Sequence, residues 1–123
     1  MPNTSDEEKH LGGLMVLDIA DEKGMYCTRM FAELGADVVI IERPGGSKLR
    51  KIGPFYRDIP DPERSLYWWY YNSSKKSITL NLETSEGQDI FTKLVSRADI
   101  LVETPTSESA VGAGLGYEAL KEL

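Results

Sequence analysis

The sequence has few of the residues that build disulfides and metal sites. Its 123 residues include one cysteine, Cys27, and one histidine, His10. A single cysteine excludes a disulfide within the chain and fits a reducing compartment. One histidine with one cysteine makes no metal-ligating constellation, and no serine stands in a nucleophile elbow. We therefore expect no bound metal.

Long hydrophobic runs and an excess of positive charge are also missing. No stretch approaches the ~20 apolar residues of a membrane span, and residues 1–10 are polar and acidic, unlike a signal peptide. The net charge of −6 disfavours nonspecific binding to nucleic acid, although it leaves room for a local basic pocket. We expect a cytoplasmic protein that binds neither nucleic acid nor membrane, with residues 1–12 as a flexible polar tail.

The most informative stretch is residues 34–51. Gly35 suits the left-handed position that closes a helix, and the β-branched run at residues 38–41 predicts a buried strand. Glu42 and Arg43 then stand at the carboxyl end of that strand, where open α/β sheets bind ligands. The following loop contains glycines and further basic residues: Gly45, Gly46, Lys48, Arg50 and Lys51. The pattern favours a phosphate-bearing ligand near Arg43, with a solvated basic loop as the alternative.

Strand and helix patterns alternate along the rest of the chain. Residues 14–19 and 76–82 predict strands, the second with Ile78, Leu80 and Leu82 facing inward. Between the first strand and Gly35 we expect a helix with an apolar stripe, made of Tyr26, Cys27, Met30, Phe31 and Leu34. A short aromatic helix at 65–72, a helix after Thr84, a strand at 100–102 and a helix from residue 117 complete the order. The predicted fold class is α/β, an open, mainly parallel sheet with flanking helices, Rossmann-like.

Many short pieces of the sequence occur in the order of one family. They include Val16-Leu17-Asp18, Glu22-Lys23-Gly24 and residues 34–38, 41–46, 72–82, 86–87, 98–103 and 114–120. In these pieces the chain resembles the amino-terminal part of the class III CoA-transferases, the CaiB/BaiF type. The resemblance covers residues 13–123, which we interpret as the amino-terminal Rossmann-like part of a CoA-transferase domain, expected to be truncated.

The resemblance implies coenzyme A, or acyl-CoA, as a substrate and suggests three contacts. Arg43 matches an arginine that contacts the CoA nucleotide, and Leu80 matches a position that packs on the adenine, although a core role fits Leu80 equally well. Lys23 lies in the first strand-to-helix turn, which could present amides and a positive helix end to an anion. Three departures from the family pattern, at Glu83, Thr104 and Gly112, predict contacts with CoA that are rearranged, weakened or absent.

The resemblance also implies transfer of CoA between an acyl-CoA and a carboxylic acid, in a homodimer. The family's catalytic aspartate, which forms an aspartyl-CoA anhydride and thioester, follows the region matched here. We therefore name no catalytic residue, and expect this chain alone to be inactive. We also expect it either to self-associate or to be marginally stable, because the aromatic run at 67–71 and the helix at 117–123 would leave apolar surface exposed. Two alternatives stay open: a nucleotide-binding Rossmann-like module with Glu42 on a ribose, and a catalytically inactive structural fragment.

Overall fold

The protein folds around one parallel sheet, seen in a computed structural model that describes residues 9–104 and 114–123. Its strands are β1 (Met15–Ile19), β2 (Asp37–Glu42), β3 (Lys76–Thr79) and β4 (Ile100–Glu103). Its α-helices are α1 (Met25–Glu33), α2 (Leu66–Asn72), α3 (Ser85–Val95) and α4 (Tyr117–Leu120). The spatial order is β3-β2-β1-β4, with every neighbouring pair parallel. The predicted open, parallel α/β fold is confirmed.

Strand β1 is an interior strand. The chain passes from β1 to β2 and β3 on one side of it, and later forms β4 on its other side. Asp18 of β1 pairs with Ile40 of β2 on one side and with Val102 of β4 on the other. The connection through α3 carries the chain from the β3 edge across to β4. The strand order of this sheet therefore reverses between β1 and β4. In open parallel sheets, ligands bind outside the carboxyl ends of the strands near such a point.

Both faces of the sheet are covered, as a parallel sheet requires. On one face, Leu17 and Ile41 form a cluster with Phe91 of α3 and Leu120 of α4. On the other face, side chains of β1 and β2 pack against Ala32 of α1. Because successive strand residues point to opposite faces, Val16 and Asp18 lie on the α1 side, as do Val38, Ile40 and Glu42 of β2.

The predicted apolar stripe of α1 is wrong in most of its members. Tyr26, Met30 and Leu34 are 53%, 43% and 41% exposed, and Cys27 is exposed. The buried side of the helix consists instead of Met25, Thr28 and Ala32. A polar residue stands in the middle of that face because the Thr28 hydroxyl is hydrogen-bonded inside the protein, and this interrupts the hydrophobic pattern that sequence reasoning uses.

The amino-terminal residues 9–12 are tied to the domain rather than forming part of a loose tail. The Leu11 amide donates to the Leu34 carbonyl over 3.0 Å, and the Leu11 side chain packs on the α1-side cluster. Gly35 has a φ of +106° and lies against the Lys9 side chain. The predicted flexible tail over residues 1–12 therefore does not include residues 9–12, which contact the domain. Residues 1–8 lie outside the described part of the chain.

The segment predicted as one strand over residues 76–82 is shorter. Strand β3 ends at Thr79, although the Leu80 amide still donates to the Glu42 carbonyl over 2.8 Å. Leu80 and Leu82 pack against the Leu17 cluster as expected. Ile78 does not, because β3 is an edge strand whose residues are all exposed.

The aromatic helix α2 is partly a packing element. Trp68 is buried with Met25, Ile40 and Leu49, and Tyr67 and Tyr71 pack against that cluster. Trp69 and Tyr70 remain 44% and 56% exposed. Packing explains Trp68, whereas the expected self-association through the exposed rings stays a prediction.

Candidate functional site

A cleft of about 790 Å³ opens at the carboxyl ends of the strands. Its size falls within the range of small-molecule sites. Residues at or just after each of the four strands reach it, so it runs along the carboxyl edge of the sheet, where open parallel sheets bind ligands. Its lining includes Asp18, Asp21, Glu22, Met25, Ile40, Glu42, Arg43, Ser47, Lys48, Leu49, Trp68, Asn72, Leu80, Asn81, Glu83 and Thr104.

The structure brings two of the three predicted contact residues to this cleft. Arg43 is exposed and stands directly after β2, and Leu80 is half-buried and stands just beyond β3. Lys23 is exposed on the first turn, where its neighbour Glu22 lines the cleft. The contacts of all three with CoA stay predictions.

The first strand-to-helix turn is closed by its own hydrogen bonds. The Lys23 amide donates to Asp21 Oδ1 over 2.9 Å, and the Asp21 amide donates to Thr104 Oγ1 over 2.8 Å. The amides of Gly24 and Met25 both donate to the Asp21 carbonyl. These amides are occupied, so the turn does not offer them to an anion as the sequence suggested.

Thr104, one of the departures from the family pattern, has a structural role in this turn. Besides accepting from Asp21, its Cγ2 would lie only 3.3 Å from a Cβ added at Gly24. The same added Cβ would meet Ala20 Cβ at 2.6 Å. The turn after β1 therefore packs tightly on the end of β4, and a glycine at position 24 is required for that approach.

Glu42 is paired with Arg50 and is not available to a ribose. Arg50 Nε and Nη2 each donate to a carboxylate oxygen of Glu42 over 2.7 Å. The Ser77 hydroxyl and the Ser47 amide donate to the same carboxylate, and the Glu42 side chain is 4% exposed. Burial alone would raise the pKa of Glu42, but these donors outweigh it and hold the pKa below its ordinary value. This geometry argues against the alternative in which Glu42 binds a ribose.

Arg50 is likewise withdrawn from phosphate binding. Its guanidinium lies over the Trp68 ring, 4.2 Å from the centroid, and its hydrogen bonds to Glu42 raise its pKa against the opposing effect of burial. The pairing fixes the loop after β2, in which Gly46 takes a φ of +84° and its amide donates to the Arg43 carbonyl over 2.9 Å. Arg50 thus holds the loop that carries Arg43, and its charge is used inside the protein.

A buried lysine next to the residues that line the cleft is a feature that sequence reasoning missed. Lys75 has no exposed side-chain surface and forms an ion pair with Asp18 across 3.1 Å. Burial lowers the pKa of Lys75 below its ordinary value, and the attraction of Asp18 offsets this only in part. In the sequence this lysine follows two serines and precedes a second lysine, a pattern typical of a solvated turn, so no local signal identified it.

The lining of the cleft also carries negative charge. Glu22 and Glu83 are exposed there. Glu83, a departure from the family pattern, lies at the cleft, and its effect on CoA contacts stays a prediction. Gly112, the other departure named with it, lies outside the described residues.

Within residues 9–104 and 114–123, no three side chains of histidine, cysteine, aspartate or glutamate come together in a group that could hold a metal ion. None of the helices over residues 9–104 and 114–123 has the length and apolar character needed to cross a membrane.

Comparison with known proteins gives a consistent result. Residues 11–123 match the family described as CoA-transferase family III. The chain is 43% identical over 105 residues to subunit BbsE of succinyl-CoA:(R)-benzylsuccinate CoA-transferase from Thauera aromatica, covering 85% of this chain and 26% of that protein. It is 41% identical over 113 residues to succinyl-CoA:mesaconate CoA-transferase from Haloarcula marismortui, covering 91% and 28%.

A solved structure agrees in fold as well as in sequence. The crystal structure of a CaiB/BaiF family protein from Brucella suis superposes with a TM-score of 0.79 at 31% identity, covering 93% of this chain and 30% of that one. The chain thus spans less than a third of the length of the relatives it matches. The match over residues 11–123, together with these identities, shows that the chain belongs to the CoA-transferase family III.

Proposed function

We propose that this chain provides the CoA-binding cleft of a class III CoA-transferase, which moves CoA between an acyl-CoA and a carboxylic acid. The observation that carries the proposal is the cleft at the carboxyl ends of the parallel strands, with Arg43 on its rim. The names of the two relatives above each pair a CoA thioester with an acid, which supports this substrate class. The particular acyl group and acceptor are no part of the proposal.

In this proposal the CoA nucleotide occupies the side of the cleft between β2 and β3. Arg43 contacts a phosphate group, since a guanidinium can form two parallel charge-assisted hydrogen bonds with it. Leu80 offers an apolar surface to the adenine, and Lys23 contributes an outer positive charge. The exposed carboxylates of Glu22 and Glu83 oppose the phosphates, so binding to this chain is expected to be weak.

Calorimetric titration of CoA into the protein and into Arg43→Ala tests the proposal. Losing a charge-assisted contact should cost roughly 1.5–3 kcal/mol, which corresponds to an increase in Kd of about 10- to 150-fold. Arg97→Ala is the matched control, because Arg97 is exposed at the end of α3, away from the cleft lining. Equal affinity of Arg43→Ala and the unmodified protein would rule out the assignment of Arg43.

A parallel titration with NAD addresses the nucleotide-binding alternative. Binding of NAD that is tighter than that of CoA, and that depends on Arg43, would favour a nucleotide module of another kind. Absence of CoA binding by the unmodified protein, at concentrations where weak ligands are detected, would contradict the proposed function itself.

The resemblance extends the proposal to assembly and location. We propose a homodimer as the assembly of the complete enzyme and the cytoplasm as its compartment. The net charge of −6 supports the expectation that nucleic acid is not a partner. Light scattering on the complete protein would measure the assembly, and a monomer would contradict this part.

A further inference from the structure

The ammonium group of Lys75 has four acceptors around it. Its Nζ lies 2.7 Å from Thr28 Oγ1, 2.9 Å from Asn72 Oδ1, 3.0 Å from the Met25 carbonyl oxygen and 3.1 Å from Asp18 Oδ2. The group carries three protons, so one of them is shared. These acceptors come from the end of β1, the first turn of α1 and the last residue of α2. One side chain thus joins three elements at a single point.

Three of the four acceptor residues, Asp18, Met25 and Asn72, also line the cleft. Lys75 stands behind them, with its side chain fully buried. A buried ion pair is a poor way to gain stability, since apolar replacements are often as stable or more stable. The buried ammonium instead fixes the orientation of each group that it contacts.

Asn72 shows this effect most clearly. Its Oδ1 accepts from Lys75, and its Nδ2 donates to the Trp68 carbonyl over 3.1 Å. The amide is held at both ends and cannot rotate without losing a bond. Trp68 is itself 7% exposed and lines the cleft, so the two residues form one ordered wall.

We propose that Lys75 is a positioning residue for the ligand cleft: its ammonium fixes Asn72 and the β1–α1 junction, and this preformed wall sets the affinity for CoA. The statement about affinity rests on the proposed function, whereas the statement about the wall does not. A wall that must become ordered when the ligand binds lowers affinity, because the ordering is then a cost of binding.

The test compares two neighbouring lysines. Lys75→Met removes the buried ammonium, and Lys76→Met removes an exposed one, which pairs with the exposed Asp37. Because Lys75→Met leaves the Asp18 carboxylate buried without its partner, the double variant Asp18→Asn/Lys75→Met is made as well. It carries no uncompensated charge at this point and is the form expected to stay folded.

Two measurements are made on each variant: hydrogen exchange of the Asn72 side-chain amide by NMR without ligand, and the Kd for CoA by calorimetry. In the double variant we expect faster exchange of that amide and a Kd raised by about tenfold or more, even where its melting temperature returns towards that of the unmodified protein. Lys76→Met should change neither quantity by more than about twofold.

Three results would overturn the inference. The first is a folded double variant whose Asn72 amide exchanges as slowly as in the unmodified protein. The second is a double variant that binds CoA within about twofold of the unmodified protein. The third is an affinity that recovers in step with the melting temperature, which would mean that Lys75 acts on stability alone. Should the unmodified protein not bind CoA, the proposed function fails, and the exchange of the Asn72 amide alone decides whether Lys75 orders the wall.

Discussion

Replacing Arg50 by methionine should destabilise the protein strongly, although Arg50 lies outside the main helices and strands, in a short helical turn, Lys48–Lys51. The change removes a guanidinium that makes two hydrogen bonds of 2.7 Å to Glu42 and lies over Trp68. Its third partner, Glu63, has an 80% exposed side chain and lies 3.2 Å away, so that contact contributes little. The effect of the substitution therefore comes almost entirely from the buried pair with Glu42 and from the ring.

The size of the loss follows from the burial of both partners. Breaking a buried ion pair by removing one member costs about 3–5 kcal/mol, and loss of a cation–π contact adds about 0.5–2 kcal/mol. Two features reduce the total: the Arg50 side chain is 16% exposed, and Glu42 keeps its donors Ser77 and Ser47. We expect a loss of about 2–4 kcal/mol in the free energy of unfolding.

Urea unfolding followed by tryptophan fluorescence measures this loss. With an m-value of about 2 kcal/mol/M, in the middle of the range for small domains, the midpoint should fall by about 1–2 M. Lys51→Met is the control, because Lys51 is an exposed cation in the same short helical turn. A loss below about 1 kcal/mol, or one equal to that of Lys51→Met, would refute the reasoning. In a double-mutant cycle with Glu42→Gln, the two losses should be strongly non-additive.

Two further predictions concern the Glu42 carboxylate and Gly87 in α3. The pKa of Glu42 is lowered in the folded state, so its carboxylate stabilises the fold above the ordinary carboxyl pKa, and this contribution is lost as the pH falls through the folded-state pKa. Urea midpoints measured between neutral pH and pH ~3 should therefore fall less steeply for Glu42→Gln than for the unmodified protein, and parallel curves would contradict the assignment. Gly87→Ala should lower the melting temperature despite the better helix propensity of alanine, because the added Cβ would lie 1.8 Å from the Asn81 carbonyl oxygen. Ser85→Ala, in the same turn of α3, is the control. A melting temperature of Gly87→Ala equal to or above that of the unmodified protein would show that the loop before α3 shifts at little energetic cost.

The parts of the fold that sequence reasoning predicted are those with a local pattern. The buried strand that ends at Glu42 has a continuous β-branched run, and Gly35 has the positive φ that its place after a helix requires. Arg43 follows from the position of that strand, because open parallel sheets bind ligands at the carboxyl ends. Each of these inferences needs no more than about ten neighbouring residues.

The parts that it missed depend on partners far apart in the chain. Lys75 and Asp18 are separated by 57 positions, and nothing near either residue shows that the lysine is buried. Thr28 looks like a polar interruption of α1 until its bond to Asp18 is known. In the sequence Arg50 is one of three cations in a loop that contains glycines. Only the folded structure shows that it forms an ion pair with Glu42.

The two strand-end carboxylates share one arrangement, and it bears on how the cleft could accept a polyanion. Asp18 of β1 and Glu42 of β2 are both buried and both face the α1 side of the sheet. Each forms an ion pair with a cation that lies further along the sequence: Asp18 with Lys75, and Glu42 with Arg50. An unpaired carboxylate at either place would repel a phosphate group at close range. With both charges compensated from within, the floor of the cleft adds no net repulsion, and the charge that a phosphate meets is set by the exposed lining residues, which include Arg43 and Lys48 as well as Glu22 and Glu83.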